Sequence, residues 1–308
     1  MVYTNVLEAV GHTPLIKLSK IVPEGSADIL VKYESVNIGG SIKTRTALNM
    51  VTEAEKRGDI NKNTIIVEPT SGNQGIGLAL IGAVKGYKVR IIMPDSVSEE
   101  RRKLINAYGA ELVLIHDAGD IGKCIDECLQ TALNMAKEDK NVWVPQQFEN
   151  PDNTAIHLKE TAKEILEDFS GPIHGFCSGV GTGGTLSGIG NALKKVYPDI
   201  TVIAAEPQNA AILSGGNVGT HLQMGIGDGI VPENLDLTVY SGIEIISDEE
   251  AINTTRMLMK EEGLMCGISS GTNVAAALRL AKKLGKGKTV VTVLPDTGER
   301  YFSTQLFS

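Results

Sequence analysis

The sequence predicts an α/β protein in which helices cover both faces of parallel sheets. Short apolar segments of strand length alternate with longer segments of helical periodicity, and polar or glycine-rich turns separate them. Strands buried on both faces are typical of parallel sheets with crossover helices. The chain has 308 residues, of which 42% are hydrophobic and 21% are charged. This length and composition favour about two domains with ordinary cores.

The first half of the alternation begins near residue 44. The predicted strands here are Thr64–Glu68, Lys88–Met93 and Glu111–Ile115. The predicted helices are Thr44–Lys56, the segment after the loop Pro69–Gly75, and a segment that starts after Ser98 and stops at Gly109. Ser98 is a suitable N-cap residue, and two acidic residues follow it in the first turn, where they complement the helix dipole.

The second half of the chain repeats the pattern. The predicted strands are Gly175–Ser178, Thr201–Ala205 and Thr289–Leu294. The predicted helices run from the glycine loop after Ser178 to about Val196, from the acidic start Ser247–Glu250, and over Thr272–Leu284. The least regular stretch is Pro207–Pro232, which is rich in glycine and asparagine. A loop of this length in a compact α/β protein is often functional.

Composition and charge exclude several classes of protein. A formal net charge of −8, with an isoelectric point near 5.3, argues against nucleic acid as the main partner. The longest apolar run, Ile76–Val84, is too short to cross a bilayer, and the N-terminal residues lack the pattern of a secretory signal. The four cysteines, with Cys124 and Cys128 on one helix face, do not suggest a disulfide framework. We therefore expect a cytoplasmic protein with no membrane partner.

The segment GVGTGG (Gly179–Gly184) is the first candidate binding motif. It follows a predicted strand and opens a helix, where successive backbone N–H groups can hold a phosphate. The hydroxyls of Thr182 and Thr185 favour a terminal phosphate monoester over a pyrophosphate. Glu206 lies at the end of the next strand, as in nicotinamide-binding folds, so a dehydrogenase is an alternative interpretation.

Two further segments carry candidate chemistry. TSGNQG (Thr70–Gly75) is a second junction between a strand and a helix, with side-chain and backbone donors suited to a carboxylate. Lys43 lies at the start of a predicted helix, where the helix dipole disfavours its positive charge. A neutral amine at this position could form a Schiff base, although a solvated surface lysine is the simpler interpretation of this residue alone.

Two other catalytic patterns are excluded. GISSG (Gly267–Gly271) matches the nucleophile elbow of hydrolases, but helical sequence precedes it, and all five histidines lie upstream of it. The histidines also do not form a metal-binding pattern, so we expect no metal site.

Taken together, the motifs resemble the cysteine synthase (O-acetylserine sulfhydrylase) and cystathionine β-synthase family of pyridoxal-phosphate enzymes. The resemblance extends over essentially the whole chain. The matching segments are GHTPLIKL (Gly11–Leu18), GSIKTR around Lys43, EPTSGN (Glu68–Asn73), RRKLINAYGAELVL (Arg101–Leu114), QQFENPDN (Gln146–Asn153), SGVGTGGT (Ser178–Thr185), GIGDG (Gly225–Gly229), GISSG and GERYFST (Gly298–Thr304).

The resemblance implies pyridoxal 5'-phosphate as the cofactor and assigns roles to individual residues. Lys43 would carry the cofactor as a Schiff base and then remove the substrate α-proton. Asn73 would hydrogen-bond the phenolic oxygen of the cofactor, and Ser269 would face its pyridine nitrogen. The phosphate would be bound by Gly181, Thr182, Gly183, Gly184 and Thr185. The substrate carboxylate would be bound by Thr70, Ser71, Gln147 and, at a position where the family usually has threonine, Gln74.

The resemblance also implies an architecture. We expect two open, twisted parallel-sheet domains of the fold type II class, with the cofactor in the cleft between them. The small domain would comprise residues 45–146, and the large domain residues 1–44 and 147–308. The family further implies a homodimer that acts on a small amino acid, and serine acetyltransferase is a conceivable additional partner.

Asp228 is the most informative departure from the family pattern. Cysteine synthases usually have alanine at this position, near the substrate Cβ, and cystathionine β-synthases have tyrosine. An acid there would repel bisulfide and could deprotonate water or a thiol. We therefore expect β-replacement through an aminoacrylate, in which L-cysteine loses hydrogen sulfide and gains water, giving L-serine, or a thiol, giving lanthionine. The alternatives are O-acetylserine sulfhydrylase and a non-catalytic, partner-binding relative.

Overall fold

The computed structural model describes residues 2–119 and 121–308. Within this described part, the strands form one sheet of six, in the order β1-β2-β10-β7-β8-β9, and one sheet of four, in the order β5-β4-β3-β6. The pair β1 and β2 is antiparallel, and the other pairs are parallel. The α/β class with two parallel-sheet domains is thus confirmed. The domain bounds at residues 45 and 146 stay a prediction.

The six-stranded sheet is built from the N-terminal and C-terminal parts of the chain. Its strands are β1 (Leu15–Lys17), β2 (Asp28–Tyr33), β7 (Gly175–Gly179), β8 (Thr201–Pro207), β9 (Gly242–Ile246) and β10 (Thr289–Leu294). The helices that accompany it are α5 (Pro151–Ile156), α6 (Ala162–Asp168), α7 (Gly184–Val196), α8 (Asp248–Glu261) and α9 (Ile268–Leu284).

The four-stranded sheet is built from the middle of the chain. Its strands are β3 (Ile65–Pro69), β4 (Lys88–Pro94), β5 (Glu111–Ile115) and β6 (Val142–Trp143). The helices around it are α1 (Lys43–Arg57), α2 (Asn73–Lys85), α3 (Glu99–Ala107) and α4 (Ile121–Glu138).

Each sheet separates two hydrophobic cores, because successive strand residues point to opposite faces. In the larger sheet, Val290 packs in one core with α9, and the next residue, Val291, packs in the other core with α7. In the smaller sheet, Ile66 packs with α2, and Val67 packs with Cys128 of α4. Both faces of the sheets are therefore covered, which explains why the strands are almost continuously apolar in sequence.

Two helix starts differ from the sequence predictions. Helix α9 begins at Ile268 and not at Thr272, because the serines and glycine of its first turn are weak helix formers and conceal the start. Ser98 occupies the N-cap of α3 as predicted, but its hydroxyl makes no capping bond and donates to the carbonyl of Arg300, 3.2 Å away. The side chain thereby ties α3 to the C-terminal segment.

Other sequence predictions concern membranes, metals and thiols. In the described ranges, no helix has the length and apolar content that a bilayer crossing requires. No cluster of three or more candidate metal ligands occurs among these residues either. The four cysteines are free and buried, and Cys124 and Cys128 are more deeply buried than the half-buried helix face that the sequence suggested.

A buried ion network holds the start of α1 in place. Arg45 donates to Glu34 of the segment after β2 and to Glu164 of α6, at 2.9 and 2.6 Å. Lys32 of β2 contacts the same Glu164 at 2.9 Å. Burial raises the pKa of Glu164, but the bonds and charge of Arg45 outweigh burial and lower this pKa to about 2. The network fixes the helix turn that carries Lys43, two residues before Arg45.

We predict that Arg45→Met destabilises the protein strongly. The substitution leaves the carboxylates of Glu34 and Glu164 buried without their main partner, and breaking a buried pair in this way costs about 3–5 kcal/mol. Urea denaturation measures the change in the free energy of unfolding. Arg57→Met is the matched control, since Arg57 forms exposed ion pairs with Asp59 and Asp152 and its loss should cost about 1 kcal/mol or less. Equal losses for the two variants would contradict the prediction.

Candidate active site

A cavity of about 430 Å³ lies where the carboxyl ends of strands from both sheets meet. Residues at the ends of β3, β4 and β7 line it, together with the first turns of α1, α2 and α9. Parallel α/β sheets generally bind ligands at this edge. Of the thirteen site residues proposed from the sequence, twelve line this cavity and Gly184 does not.

Lys43 is the first residue of α1 and projects into the cavity. Its Nζ lies 3.4 Å from Oγ1 of Thr182 in the glycine loop. Burial lowers the pKa of Lys43 to about 8, although the negative charges of Asp228 and Glu68 act in the opposite direction. A lysine with this pKa has a substantial fraction of neutral amine near neutrality, as a nucleophile or a proton acceptor requires.

The glycine loop connects β7 to α7 and forms an anion cradle. Gly183 is the N-cap of α7 with φ of 79°, a left-handed conformation that disfavours other residues. The first N–H groups of α7 have no acceptor within the helix, and the helix dipole favours an anion there. Thr182 and Thr185 add hydroxyl groups on the cavity side.

One helical segment behind the cradle holds both threonine hydroxyls. Asn153 of α5 donates to Oγ1 of Thr182 at 2.9 Å. His157, one turn later, begins a short π-helix, and its Nε2 lies 3.4 Å from Oγ1 of Thr185 while its Nδ1 contacts Thr161. Burial and the nearby cations Arg45 and Lys43 lower the pKa of His157 well below its usual value, so the ring is neutral.

Asn73 lies opposite the cradle, at the start of α2, with its amide orientation fixed. Its Nδ2 donates to Asp296 at 2.7 Å, and its Oδ1 accepts a hydrogen bond from Arg300. Asp296 also accepts a bond from the buried hydroxyl of Tyr301. Because an amide nitrogen has two hydrogens, Asn73 keeps one donor for a ligand in the cavity.

The loop Thr70–Asn73 and the segment Gln146–Gln147 form the wall next to Lys43. The carboxylate of Glu68, fully buried at the end of β3, accepts the backbone N–H groups of Gln146 and Gln147, both at 3.1 Å. Burial raises the pKa of Glu68 to about 8, although the two backbone bonds and Lys43 lower it. Glu68 thus holds this segment, in which Gln146 has the positive φ of 54°.

Gln74 is only partly available to a ligand. Its Oε1 accepts a bond from Thr46 at 2.8 Å, and its Nε2 is buried without a hydrogen-bond partner among the described residues. Ser269 lies in the first turn of α9, is 4% exposed and lines the cavity. It therefore presents a hydroxyl to the cavity from the first turn of α9.

Asp228 lines the same cavity on the Gly225–Gly229 loop. Its Oδ2 lies 3.5 Å from the position that a Cβ on Gly181 would take. Burial raises the pKa of Asp228, although Lys43 and His221 oppose this shift. His221 accepts the N–H of Gln223 at Nδ1, so that its Nε2 carries the proton and donates to the carbonyl of Gly227 at 3.0 Å. These bonds fix the loop.

The donor set fits pyridoxal 5'-phosphate. The cradle at residues 181–185 suits a phosphate monoester dianion, and Lys43, whose amine is readily neutral, lies beside it. Asn73 retains one amide hydrogen for an oxygen, and Ser269 has a hydroxyl for a ring nitrogen. A lysine amine beside an anion cradle, between two parallel sheets, is typical of enzymes whose carbonyl cofactor forms a Schiff base with a lysine.

Comparisons with known proteins agree with this class. A family model described as pyridoxal-phosphate dependent enzyme matches residues 6–296. Cysteine synthase of Staphylococcus aureus (strain Mu50) is 48% identical over 308 residues, which cover 99% of this chain and 97% of the relative. The crystal structure of a mutant O-ureido-L-serine synthase, bound to O-ureido-L-serine, has a TM-score of 0.94 and 40% identity, covering 100% of this chain and 94% of that one.

A hydrogen sulfide-producing enzyme from Fusobacterium nucleatum is also similar, with a TM-score of 0.91 and 40% identity over 97% of this chain and all of that one. The chain belongs to the pyridoxal-phosphate dependent enzyme family and, within it, to the cysteine synthase group. The predicted family, the cofactor and the β-replacement class are thereby confirmed. The roles of the individual site residues stay predictions.

The dehydrogenase alternative is wrong. Besides the family match, Glu206 is buried and accepts the backbone N–H groups of Leu213 and Ser214 at 2.9 and 3.0 Å. Its carboxylate therefore closes its own loop and is 2% exposed, so it is not presented to a ribose. The acid at the end of β8 was the signal that suggested a dinucleotide, and its spacing alone could not distinguish the two uses.

Sequence reasoning assigned no role to five polar residues that shape the site: Glu68, Asn153, His157, Asp296 and Arg300. Glu68 had a visible signal, because it is the one charged residue in an otherwise apolar strand. Asn153 and His157 are spaced one helical turn apart, which indicates a shared face. Asp296 and Arg300 both bind Asn73, which lies more than 200 residues away, and no local pattern could have identified this contact.

We predict that the apoprotein binds pyridoxal phosphate faster as pH rises through about 8. Only the neutral amine of Lys43 can attack a carbonyl, and the neutral fraction of a group with pKa about 8 increases about eightfold between pH 7 and pH 8.5. Stopped-flow absorbance measures the rate. Lys43→Ala is the control and should show no such phase. A rate that keeps rising to the usual lysine pKa, above pH 10, would contradict the lowered pKa.

We further predict that His157→Gln weakens binding of the cofactor. Loss of the imidazole leaves the hydroxyl of Thr185 without its fixed orientation, and one such hydrogen bond contributes about 1 kcal/mol. The dissociation constant of pyridoxal phosphate should rise about fivefold, measured by absorbance titration of the apoprotein. His116→Gln is the control, because His116 is exposed on the surface, and it should leave this constant unchanged. Unaltered affinity in both variants would rule out the orienting role.

Proposed function

We propose that the protein is an L-cysteine lyase that releases hydrogen sulfide and replaces it with water, giving L-serine, or with a thiol, giving lanthionine. The observation that supports this reaction is the position of Asp228, whose carboxylate lines the cavity of Lys43 beside the glycine loop. The hydrogen sulfide-producing relative from Fusobacterium nucleatum is consistent with the same chemistry.

Lys43 is proposed to move the proton at the substrate Cα. The bound cofactor supplies an electron sink that makes this proton acidic. The amine of Lys43, with its pKa lowered to about 8, accepts the proton near neutral pH and returns it after the new bond has formed at Cβ. Loss of the β-thiol as hydrogen sulfide and addition of water balance as L-cysteine plus water giving L-serine plus hydrogen sulfide.

The other site residues are proposed to bind and orient. Thr70, Ser71 and Gln147 hold the α-carboxylate. Gln74 is proposed to assist through its Nε2, which is buried without a hydrogen-bond partner among the described residues, while Thr46 holds its carbonyl oxygen. The remaining roles concern the cofactor and belong to Asn73, Gly181, Thr182, Gly183, Gly184, Thr185 and Ser269.

Asp228 is proposed to determine which nucleophile adds at the substrate Cβ. A carboxylate beside the reacting carbon repels bisulfide, which is an anion, and accepts a proton from water or from a neutral thiol. Asp126 and Glu149 also line the cavity, so the acidic lining further disfavours a second anion that lacks a cationic partner. This electrostatic bias favours a lyase over a sulfhydrylase.

O-acetylserine sulfhydrylase is the second candidate. It is supported by the 48% identity with the cysteine synthase of Staphylococcus aureus over nearly the full length of both chains. Both candidate reactions would use Lys43, the cradle and the loop Thr70–Asn73. They differ in the substrate's leaving group and in the nucleophile. The resemblance also leads us to propose a cytoplasmic homodimer.

Product analysis distinguishes the two candidates. The purified enzyme is given L-cysteine alone in one reaction and O-acetylserine with sulfide in another. Sulfide, serine, lanthionine and cysteine are then quantified. We expect sulfide with serine or lanthionine in the first reaction. Absence of sulfide there, with rapid cysteine formation in the second reaction, would overturn the proposal and favour the sulfhydrylase.

We predict that Asp228→Asn retains amino-acid binding, seen as a change in cofactor absorbance, but lowers turnover of L-cysteine about 10²–10⁴-fold, the usual contribution of a general base. Because the pKa of Asp228 is raised, its basic form is lost at a higher pH than for an ordinary aspartate. The wild-type rate should therefore fall on the acid side, and the variant should lack this dependence.

The control for this prediction is Asp126→Asn. Asp126 also lines the cavity, from α4, so the substitution makes the same change in cavity charge away from the glycine loop. Its turnover should stay within about twofold of wild type, because Asp126 is exposed and solvent and salt screen the charge of an exposed side chain. Full turnover by Asp228→Asn would make Asp228 a bystander.

A further inference from the structure

Arg101 is a buried cation at the active-site cavity to which no role has been assigned. It lies in the first turn of α3, is 3% exposed and lines the cavity. An arginine is permanently charged, and burying such a charge is costly unless an anion compensates for it. Its partners therefore indicate whether the charge serves the fold or a ligand.

The direct contacts of Arg101 are not anionic. Its Nη1 approaches the sulfur of Met224 at 2.7 Å, and its guanidinium lies 4.8 Å from the ring centre of Tyr301. A thioether is a weak acceptor, and an aromatic face compensates only part of a charge. Among the described residues, no ion pair to Arg101 is present.

Two acids in this region, Asp296 and Glu100, have other partners, although Oδ1 of Asp296 accepts no hydrogen bond within the described residues. Asp296 accepts hydrogen bonds from Asn73 and Tyr301, and it also faces a second buried cation, Arg300. The carboxylate of Glu100 accepts the N–H and hydroxyl of Ser303 at 3.0 and 2.8 Å. Neither carboxylate forms an ion pair with Arg101 in the described part of the chain.

Arg101 contacts two loops of the cavity, one that contains Gly72 and one that begins at Met224. Its aliphatic stem packs on Gly72 so closely that a Cβ there would lie 2.3 Å from Cδ, and Gly72 has φ of 153°. Its guanidinium reaches Met224, which begins the turn to Asp228. The head thus lies between the loop proposed for the substrate carboxylate and the loop proposed for the nucleophile.

The cavity itself indicates the charge of the ligand. Among its described lining residues, the cationic side chains are those of Lys43 and Arg101. Once Lys43 is engaged with the cofactor, Arg101 is the remaining cation on this wall. A guanidinium fork matches the geometry of a carboxylate, and such a pair is strongest when it is shielded from water.

We infer that Arg101 binds a carboxylate of an amino-acid reactant, an inference that rests on the proposed β-replacement function. The chemistry is the same for two sources. One is the α-carboxylate of the amino acid that reacts at Lys43, and the other is the carboxylate of a thiol acceptor that adds at Cβ. Arg101 is then a specificity residue that admits an anionic reactant into an acidic cavity.

The experiment compares Arg101→Met and Arg101→Lys with wild-type holoenzyme. In the first arm, L-serine and L-serine amide are titrated, and binding is measured by the cofactor absorbance. In the second arm, L-cysteine is the donor and the acceptor is 3-mercaptopropionate or 2-mercaptoethanol, with thioether products measured by mass spectrometry. In each arm the two ligands differ chiefly in the carboxylate.

We expect Arg101→Met to weaken the carboxylate-bearing ligand of at least one arm about 10- to 100-fold, the range for a hydrogen bond to a charged group. The uncharged ligand of that arm should change less than about threefold, and Arg101→Lys should recover part of the loss. The affected arm identifies the source. Lys103→Met is the control, because it removes an exposed charge from the same helix.

Equal loss for charged and uncharged ligands, or no loss in either arm, would overturn the inference. Circular dichroism and cofactor absorbance of the unliganded enzyme verify that the variant is folded, and Arg101→Gln replaces the methionine variant if it is not. The first arm requires no turnover. If wild type forms no sulfide from L-cysteine, the proposed function fails while this arm still tests Arg101.

Discussion

The amine of Lys43 is held at a helix N terminus, inside a cavity that removes water from it, and both conditions disfavour its charge. A group under this penalty moves unless the backbone that carries it is rigid. The buried network of Arg45, Glu34, Glu164 and Lys32 supplies that rigidity two residues away. The charged groups of this network lie behind the helix and pair with one another. They therefore stabilise the position of Lys43, while its pKa stays lowered.

The same separation of support from chemistry recurs around the cavity. Glu68 holds the segment of Gln147, Asn153 and His157 hold the threonines of the cradle, and Asp296 with Arg300 orients Asn73. In each case a buried polar side chain satisfies a group that would otherwise rotate. The arrangement matters because a site preorganised in this way loses little entropy when a small ligand binds.

The sequence could predict the fold because its information is local. Alternating strands and helices, the glycine loop after β7 and the acidic start of α8 are each visible in a short segment, and Ser247 does cap α8 through the N–H of Glu250. The first turn of α9 was missed because Ile268–Gly271 has low helix propensity and depends on burial against α8. In this turn, packing against other elements forms the helix despite the low helix propensity of the sequence.

The cavity was predicted less completely, for a related reason. Residues next to a recognisable turn, such as Lys43, Asn73 and Thr182, could be identified from motifs. Arg101 and Asp296 acquire their significance only through partners from other elements, so their environment is a property of the folded chain. Glu206 is an example of the opposite error. Its spacing from the glycine loop suggested a dinucleotide site, but its carboxylate binds the backbone of its own loop.

The distribution of charge in the cavity explains how one scaffold can favour different nucleophiles. The roles proposed for the cradle and for Lys43 are common to the reactions of this class and do not determine the nucleophile. In the proposed reaction, the acids along the wall, above all Asp228, disfavour a small free anion such as bisulfide, whereas water and a neutral thiol are unaffected until they transfer a proton. In the role proposed for Arg101, its charge reverses this potential at one part of the wall. A reactant whose negative charge is confined to a carboxylate can therefore approach, because its charge and its reacting atom contact different parts of the wall.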